Sequence, residues 1–241
     1  MMIVGKKRVY APKKQSKFQR VVKKVIAQNR LRRFAPITLS RTPTGFPNQL
    51  RFTHRYAETV TRQSTTGTIN QYVWSANGLY DPNITGTGHQ PLYFDQLTAV
   101  YNHYTVLRSK ISIQVVPKIA DATCNSMTCV VYQSDSASAV LGTPENGKEM
   151  PWASWTQIST LSNTFGPQNK LGLSFNAFKV FGSRALSDSE LRGTISSNPT
   201  EQSYFIFLFR DSEGVANCTA IITVTIEYEA VWTEPKQIVS S

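Results

Sequence analysis

From Leu50 onward the chain alternates between apolar and polar positions. Ile111, Ile113 and Val115 fall on one side of an extended segment with Ser112 and Gln114 on the other, and Ile222, Val224 and Ile226 oppose Thr223, Thr225 and Glu227. A period of two belongs to a strand with one buried and one wet face. Runs rich in Thr, Val, Ile, Tyr and Phe, separated by Gly, Pro, Asn and Asp, predict eight strands. They are Leu50 to Thr61, Ile69 to Ser75, Thr105 to Pro117, Ser126 to Gln133, Trp155 to Ser162, Lys170 to Phe181, Ser203 to Arg210 and Thr219 to Trp232. The run Tyr204-Phe205-Ile206-Phe207-Leu208-Phe209 is apolar on both faces, which places it mid-sheet or at an interface.

Helical patterns are few. Leu92 to Tyr104 sets Phe94, Leu97, Tyr101 and Tyr104 along one side of a helix that leads into the longest alternating strand. Ser187-Asp188-Ser189-Glu190 has capping-box form and opens a turn or two at most. The connections Ala76 to Gln90 and Ser134 to Ala153 are longer than hairpin loops and are of the kind that carries contacts. There is no internal repeat and no sign of a second domain. The pattern predicts an all-β fold: an eight-stranded single jelly roll, that is, a two-sheet sandwich with one or two short helices in loops, the alternative being an up-and-down barrel.

Charge changes this picture. The first 41 residues hold thirteen cations and no acid: Lys6, Lys7, Arg8, Lys13, Lys14, Lys17, Arg20, Lys23, Lys24, Arg30, Arg32, Arg33 and Arg41. Of the 26 basic and 15 acidic residues, positions 42–241 therefore keep 13 basic and all 15 acidic ones, so the body is −2 and the arm +13. So dense a cationic segment cannot bury its charges, and its natural partner is a polyanion. Phe18, Val22, Val25 and Ile26 recur at helical spacing within it, consistent with a disordered arm or with a short basic helix formed on nucleic acid or an anionic surface. Lys6-Lys7-Arg8 with Lys13-Lys14, and Arg30 with Arg32-Arg33, also read as nuclear-localisation clusters. Ala35-Pro36 and the Pro43 to Pro47 segment break any helix and divide the arm, 1–41, from the body, 42–241.

The chemistry of the body points away from catalysis. Gly142-Thr143-Pro144-Glu145-Asn146-Gly147-Lys148 has phosphate-loop spacing, but Glu149 stands where a magnesium-binding hydroxyl is required and Pro144 removes an amide from the cradle. His54, His89 and His103 are scattered outside any zinc pattern, and Asp95, Asp121, Asp135, Asp188 and Asp211 lie singly, as solvated turn residues do, the alternative being a subunit-interface calcium site that recruits two or three of them. Cys124, Cys129 and Cys218 form a sparse, odd set, expected to be buried free thiols. No nucleophile elbow and no Cys with a base partner is present. The expectation is a non-enzyme with no metal and no cofactor. With no apolar run near membrane length and no signal-peptide pattern, it is also expected to be a soluble protein made inside a cell, whose sequons at Asn83 and Asn217 go unused.

The order of basic arm, eight-strand body, Pro91-Leu92-Tyr93-Phe94-Asp95-Gln96-Leu97 with Tyr101 and Tyr104, then Val106-Leu107-Arg108-Ser109-Lys110-Ile111-Ser112-Ile113, resembles the capsid proteins of small circular Rep-encoding single-stranded DNA viruses, the circovirus-like group. Lys179-Val180-Phe181-Gly182 and Ile226-Glu227-Tyr228-Glu229-Ala230-Val231-Trp232 resemble the later strands of that group, though the arm is richer in Lys than many members have. The resemblance implies a homo-oligomer of sixty copies closing a T=1 icosahedral shell, with the arms inside on viral single-stranded DNA. It also implies nuclear delivery of the chain through a host import receptor, and a cell-surface receptor for the virion. Thirteen charges on each of sixty copies give about 780, enough to offset roughly a kilobase of single strand. Aromatic loops such as Tyr72 to Tyr80 and Trp152 to Trp155 would suit subunit contacts, the alternative being the domain's own core. Two other readings stand beside it: the capsid protein of a small or satellite single-stranded RNA virus, which would show the same composition, and a cellular single-strand nucleic-acid-binding β-barrel, against which the segregation of the basic residues into the arm counts.

Overall fold

The computed structural model describes residues 45–118, 124–138, 141–160, 169–183 and 185–237. Nine strands follow in order: β1 (Gln49–Ser64), β2 (Asn70–Ser75), β3 (Tyr101–Pro117), β4 (Ser126–Ser134), β5 (Ser154–Ser159), β6 (Lys170–Asn176), β7 (Gly193–Thr194), β8 (Tyr204–Asp211) and β9 (Cys218–Pro235). The first sheet has the order β1-β9-β3-β6, with the two-residue β7 also on β3, and the second has the order β2-β8-β4-β5. Every pairing is antiparallel. β1 pairs with β9, β2 with β8, β3 with β6 and β4 with β5, so the chain is a long hairpin whose halves pair from the outside in and roll into two sheets. That is the jelly roll.

The alternation decides which way each strand faces. Along β9, Ala220, Ile222, Val224, Ile226, Tyr228 and Ala230 are buried and meet Ile111, Ile113 and Val115 of β3 on the inner face of the first sheet. Phe205, Phe207 and Phe209 of β8 and Cys129 and Val131 of β4 close the same core from the second sheet. The double-sided run at 204–209 lies mid-sheet between β2 and β4, as its pattern predicts. Its other face, Ile206 and Leu208 with Val130 and Tyr132, is covered by a second, smaller core that includes Leu141, Met150 and Ala153.

Three short helices are found among the described residues: α1 (Phe94–Thr98), α2 (Pro144–Glu149) and α3 (Ala177–Val180). The predicted helix over 92–104 shrinks to α1, because from Tyr101 the chain is drawn into β3 by pairing with β9, from Tyr101↔Pro235 onward. A ladder with β9 outweighs two turns of weak helix. The strand predicted over 170–181 stops at Asn176, whose Oδ1 accepts from the Phe178 amide at 3.0 Å and caps α3. Around Ser187 to Glu190 the chain makes turns rather than a helix, with Asp188 Oδ1 accepting from the Glu190 amide.

One expectation is overturned. Cys124 and Cys218 are joined as a disulfide with Cα atoms 5.7 Å apart, and only Cys129 is a buried free thiol. The partners are 94 residues apart, so nothing in their spacing marks them. They meet because the segment entering β4 of the second sheet lies against the first residue of β9 in the other.

Candidate nucleic-acid and assembly surfaces

The thirteen arm cations, Lys6 to Arg41, lie outside the described residues. Within the body the remaining charge is unevenly placed. On the outer face of the first sheet stand Arg51 and Arg55 of β1, Arg108 and Lys110 of β3 and Lys170 of β6, with Lys179 of α3 beside Arg108 and Lys110 in a shared groove. Among the described residues, only Glu227 and Glu229 of β9 oppose them there. Arg51 Nε holds Glu229 at 3.1 Å and Arg55 Nη2 holds Glu227 at 2.5 Å. Arg108, Lys110, Lys170 and Lys179 form no ion pair among the described residues.

A bulge creates this arrangement. The register of β3 on β9 runs Val106↔Ala230 and then Arg108↔Glu229, leaving Leu107 as an extra residue. Before it Tyr104 and Val106 face the core, and after it Ser109, Ile111 and Ile113 do. The change of parity turns Arg108 and Lys110 outward, opposite Glu229 and Glu227. A groove of about 630 Å³ runs past them, lined also by Trp152, Ser174, Asn176 and Lys179.

The outer face of the second sheet is different in kind. The segment 141–153, including α2, covers its apolar side chains. The phosphate-loop look-alike is therefore a packing element: Thr143 Oγ1 caps α2 by accepting from the Asn146 amide, and Gly147 sits against Val130. Beside it Trp152 and Trp155 are 62% and 56% exposed, and Lys148 Nζ lies 4.8 Å from the centre of the Trp155 ring. Leu92 and Tyr93 form a second exposed apolar pair, 72% and 61% exposed. Tyr93 (φ 68°) and Trp152 (φ 55°) both hold a left-handed backbone that a residue with a Cβ seldom adopts.

Of the two aromatic loops singled out in the sequence, then, the second stands at the surface, whereas the first reaches it only at Tyr80, 37% exposed. Tyr72, Trp74 and Leu79 are buried in the main core. Trp74 Nε1 donates to Glu58, and Asn83 Nδ2 donates to Glu58 Oε2 (3.0 Å) and to the Tyr72 hydroxyl (2.7 Å). The Arg62 guanidinium lies 4.5 Å from the Tyr72 ring centre. This polar cluster has no trace in the sequence pattern, and it also takes Asn83, 1% exposed, out of reach as a glycosylation acceptor.

The histidines are structural in their contacts. His54 is buried, donating from Nδ1 to the Leu92 carbonyl (3.1 Å) while Nε2 accepts from Trp232 Nε1 (3.0 Å), and burial lowers its pKa. His89 places both ring nitrogens on carbonyls, of Gln90 and Ala57, which raises its pKa. His103 Nε2 lies 3.3 Å from Glu234. Cys129 is fully buried, which pushes its thiol up and keeps it protonated and unreactive. Asp211 lies near both disulfide sulfurs, but its Oδ2 accepts from the amides of Val215 and Ala216, and bonded cysteines offer no thiolate to a metal.

No protein-family model and no curated protein sequence matches the chain. Among solved structures it is similar to those of cocksfoot mottle virus (10% identity, TM-score 0.45, covering 78% of this chain and 96% of that one) and turnip yellow mosaic virus (13%, 0.42, 80% and 99%). It is also similar to that of cucumber necrosis virus (13%, 0.47, 80% and 59%). At these identities the likeness concerns the fold alone, and the chain's own strand order defines it.

Proposed function

We propose that this chain is the coat protein of a small icosahedral virus. The body associates with further copies into a closed shell and the arm, 1–41, neutralises a packaged single strand. The observation that carries this reading is the separation of charge: thirteen cations and no acid in the arm, against −2 on a jelly-roll body. Counterion release from phosphates makes such an arm bind tightly and without sequence preference, and a nearly neutral body removes a repulsion between neighbouring copies. Leu92, Tyr93 and Trp155, held at the surface, are suited to subunit contacts. We assign the strand as DNA, in keeping with the resemblance to the circovirus-like group. The arm clusters then serve a nuclear import receptor as well, with assembly in the host nucleus, and a cell-surface receptor meets the finished virion.

Negative-stain microscopy of nuclease-treated protein, with the absorbance ratio at 260 and 280 nm, tests the reading. Uniform small spheres with protected, deoxyribonuclease-sensitive cargo are expected. Ribonuclease-sensitive cargo would keep the coat role and replace the genome type. A monomer or small oligomer that persists across salt, pH and added nucleic acid would overturn the coat role in favour of a cellular single-strand-binding module.

A further inference from the structure

We propose that the groove on the outer face of the first sheet holds one or two nucleotides of the packaged strand, with Trp152 as stacking platform and Arg108, Lys110 and Lys179 as phosphate partners. This rests on the packaging reading above and adds to it a site on the folded body.

The groove has the two parts that single-strand recognition uses, a run of cations along a backbone path and an aromatic face for a base. Arg108 and Lys110 are two residues apart on one face of β3, about 6.8 Å along the strand, on the scale of one nucleotide of an extended chain. The bulge at Leu107 gives up a regular ladder and turns both outward. The two carboxylates in the groove would repel phosphate, but each is held by an arginine of β1, Glu229 by Arg51 and Glu227 by Arg55. The cations of β3 and α3 are thus left over on a body whose net charge is slightly negative. Trp152 gives independent support: its backbone takes φ 55°, and the indole it carries is 62% exposed and lines the groove. A strained residue presenting a large aromatic to solvent points to a ligand better than to the protein's own core. Ser174 and Asn176 add hydrogen-bonding groups to the wall, and about 630 Å³ lies within the size of small-molecule sites.

The test uses the full chain. Assembled particles are irradiated at ultraviolet wavelengths and the nucleotide adducts mapped by mass spectrometry, for wild type, Trp152→Leu and the double variant R108Q/K110Q. R108Q/K110Q changes exposed side chains outside the aromatic loops, so its shell formation and 260/280 ratio should hold, because the arm supplies most of the neutralisation. Adducts on the peptide carrying Trp152 should appear in wild type and fall at least tenfold in R108Q/K110Q. Binding of unassembled full-length protein to an oligothymidylate should lose about 1.4 from its log–log salt slope in the double variant, two phosphates' worth for single strands. Loaded particles with no adduct at this peptide, or an unchanged slope, overturn the groove and leave the coat role standing. So does a particle structure in which a segment of a neighbouring copy fills the groove. Particles that form without nucleic acid overturn the packaging reading and the groove together.

Discussion

Tyr104 ties β3 to the loop after β2 and to the segment around Asn198. Fully buried, its hydroxyl accepts from the amides of Leu79 (3.0 Å) and Tyr80 (3.2 Å) and donates to Asn198 Oδ1 (3.3 Å), pinning the loop after β2. Tyr104→Phe leaves two amides without that partner and should cost about 1–3 kcal/mol, read by chemical unfolding. Gly193→Ala should cost at least as much, because a Cβ there would lie 2.1 Å from Tyr104 Cζ, far inside van der Waals contact. His54 makes the body sensitive to acid. Its folded pKa lies below the ordinary 6.5, so its contribution is present above pH 6.5 and is lost as the pH falls through the folded value, where the unfolded chain takes up a proton the folded one resists. His89 works the other way: its contribution is complete below pH 6.5 and fades as the pH rises through its raised pKa. Between pH 7 and 5 the thermal midpoint of His54→Gln should therefore fall less than that of wild type. Equal slopes would remove His54 as the acid-sensitive group.

At the scale of elements, the disulfide joins the second sheet to the first, and it closes a loop of 94 residues. In the chain-entropy picture that is worth about 4–5 kcal/mol. Cys124→Ser should lower the melting temperature, and reductant should lower it in wild type but not further in the variant. The strands themselves were largely legible beforehand, because Ile111-Ser112-Ile113 or Ile222-Thr223-Val224 states its facing directly. Pairs set by the three-dimensional path were not. Cys124 with Cys218, Glu58 with Trp74 and Asn83, and Arg51 with Glu229 are all long-range partners without any local signature. The excess of the helix predicted over 92–104 has the same origin, since its spacing fits a helix and only β9 makes extension the better state. The bulge at Leu107 is hidden as well: Thr105-Val106-Leu107 reads as an apolar run, and the parity change shows only against its partner strand. The basic groove is legible in retrospect only as two cations two residues apart followed by strict alternation.

For the whole molecule, the division of labour between arm and body gives a measurable slope. Full-length chain should bind single-stranded DNA with a steep dependence on salt, and deletion of residues 1–41 should leave a folded body with most of that slope gone. Equal affinity and slope in the truncated protein would put the binding element elsewhere. The residue left to the body should be small and should trace to Arg108 and Lys110.

The outside-in pairing of the strands also sets a timetable. Gln49 at the start of β1 lies opposite Thr233 near the end of β9, and the whole length of β1 has β9 as its ladder partner in the first sheet. On the ribosome β1 is made some 180 residues before the end of its partner strand, which at 5–20 residues per second is roughly 10–40 s of waiting. During that interval β3 also lacks its central neighbour, and the first sheet cannot close. A chain cut short by premature termination keeps an open edge and does not present the finished outer face. On the coat-protein reading, completion of synthesis is thereby the checkpoint for joining a shell, because only a chain that carries its last strand can close the first sheet.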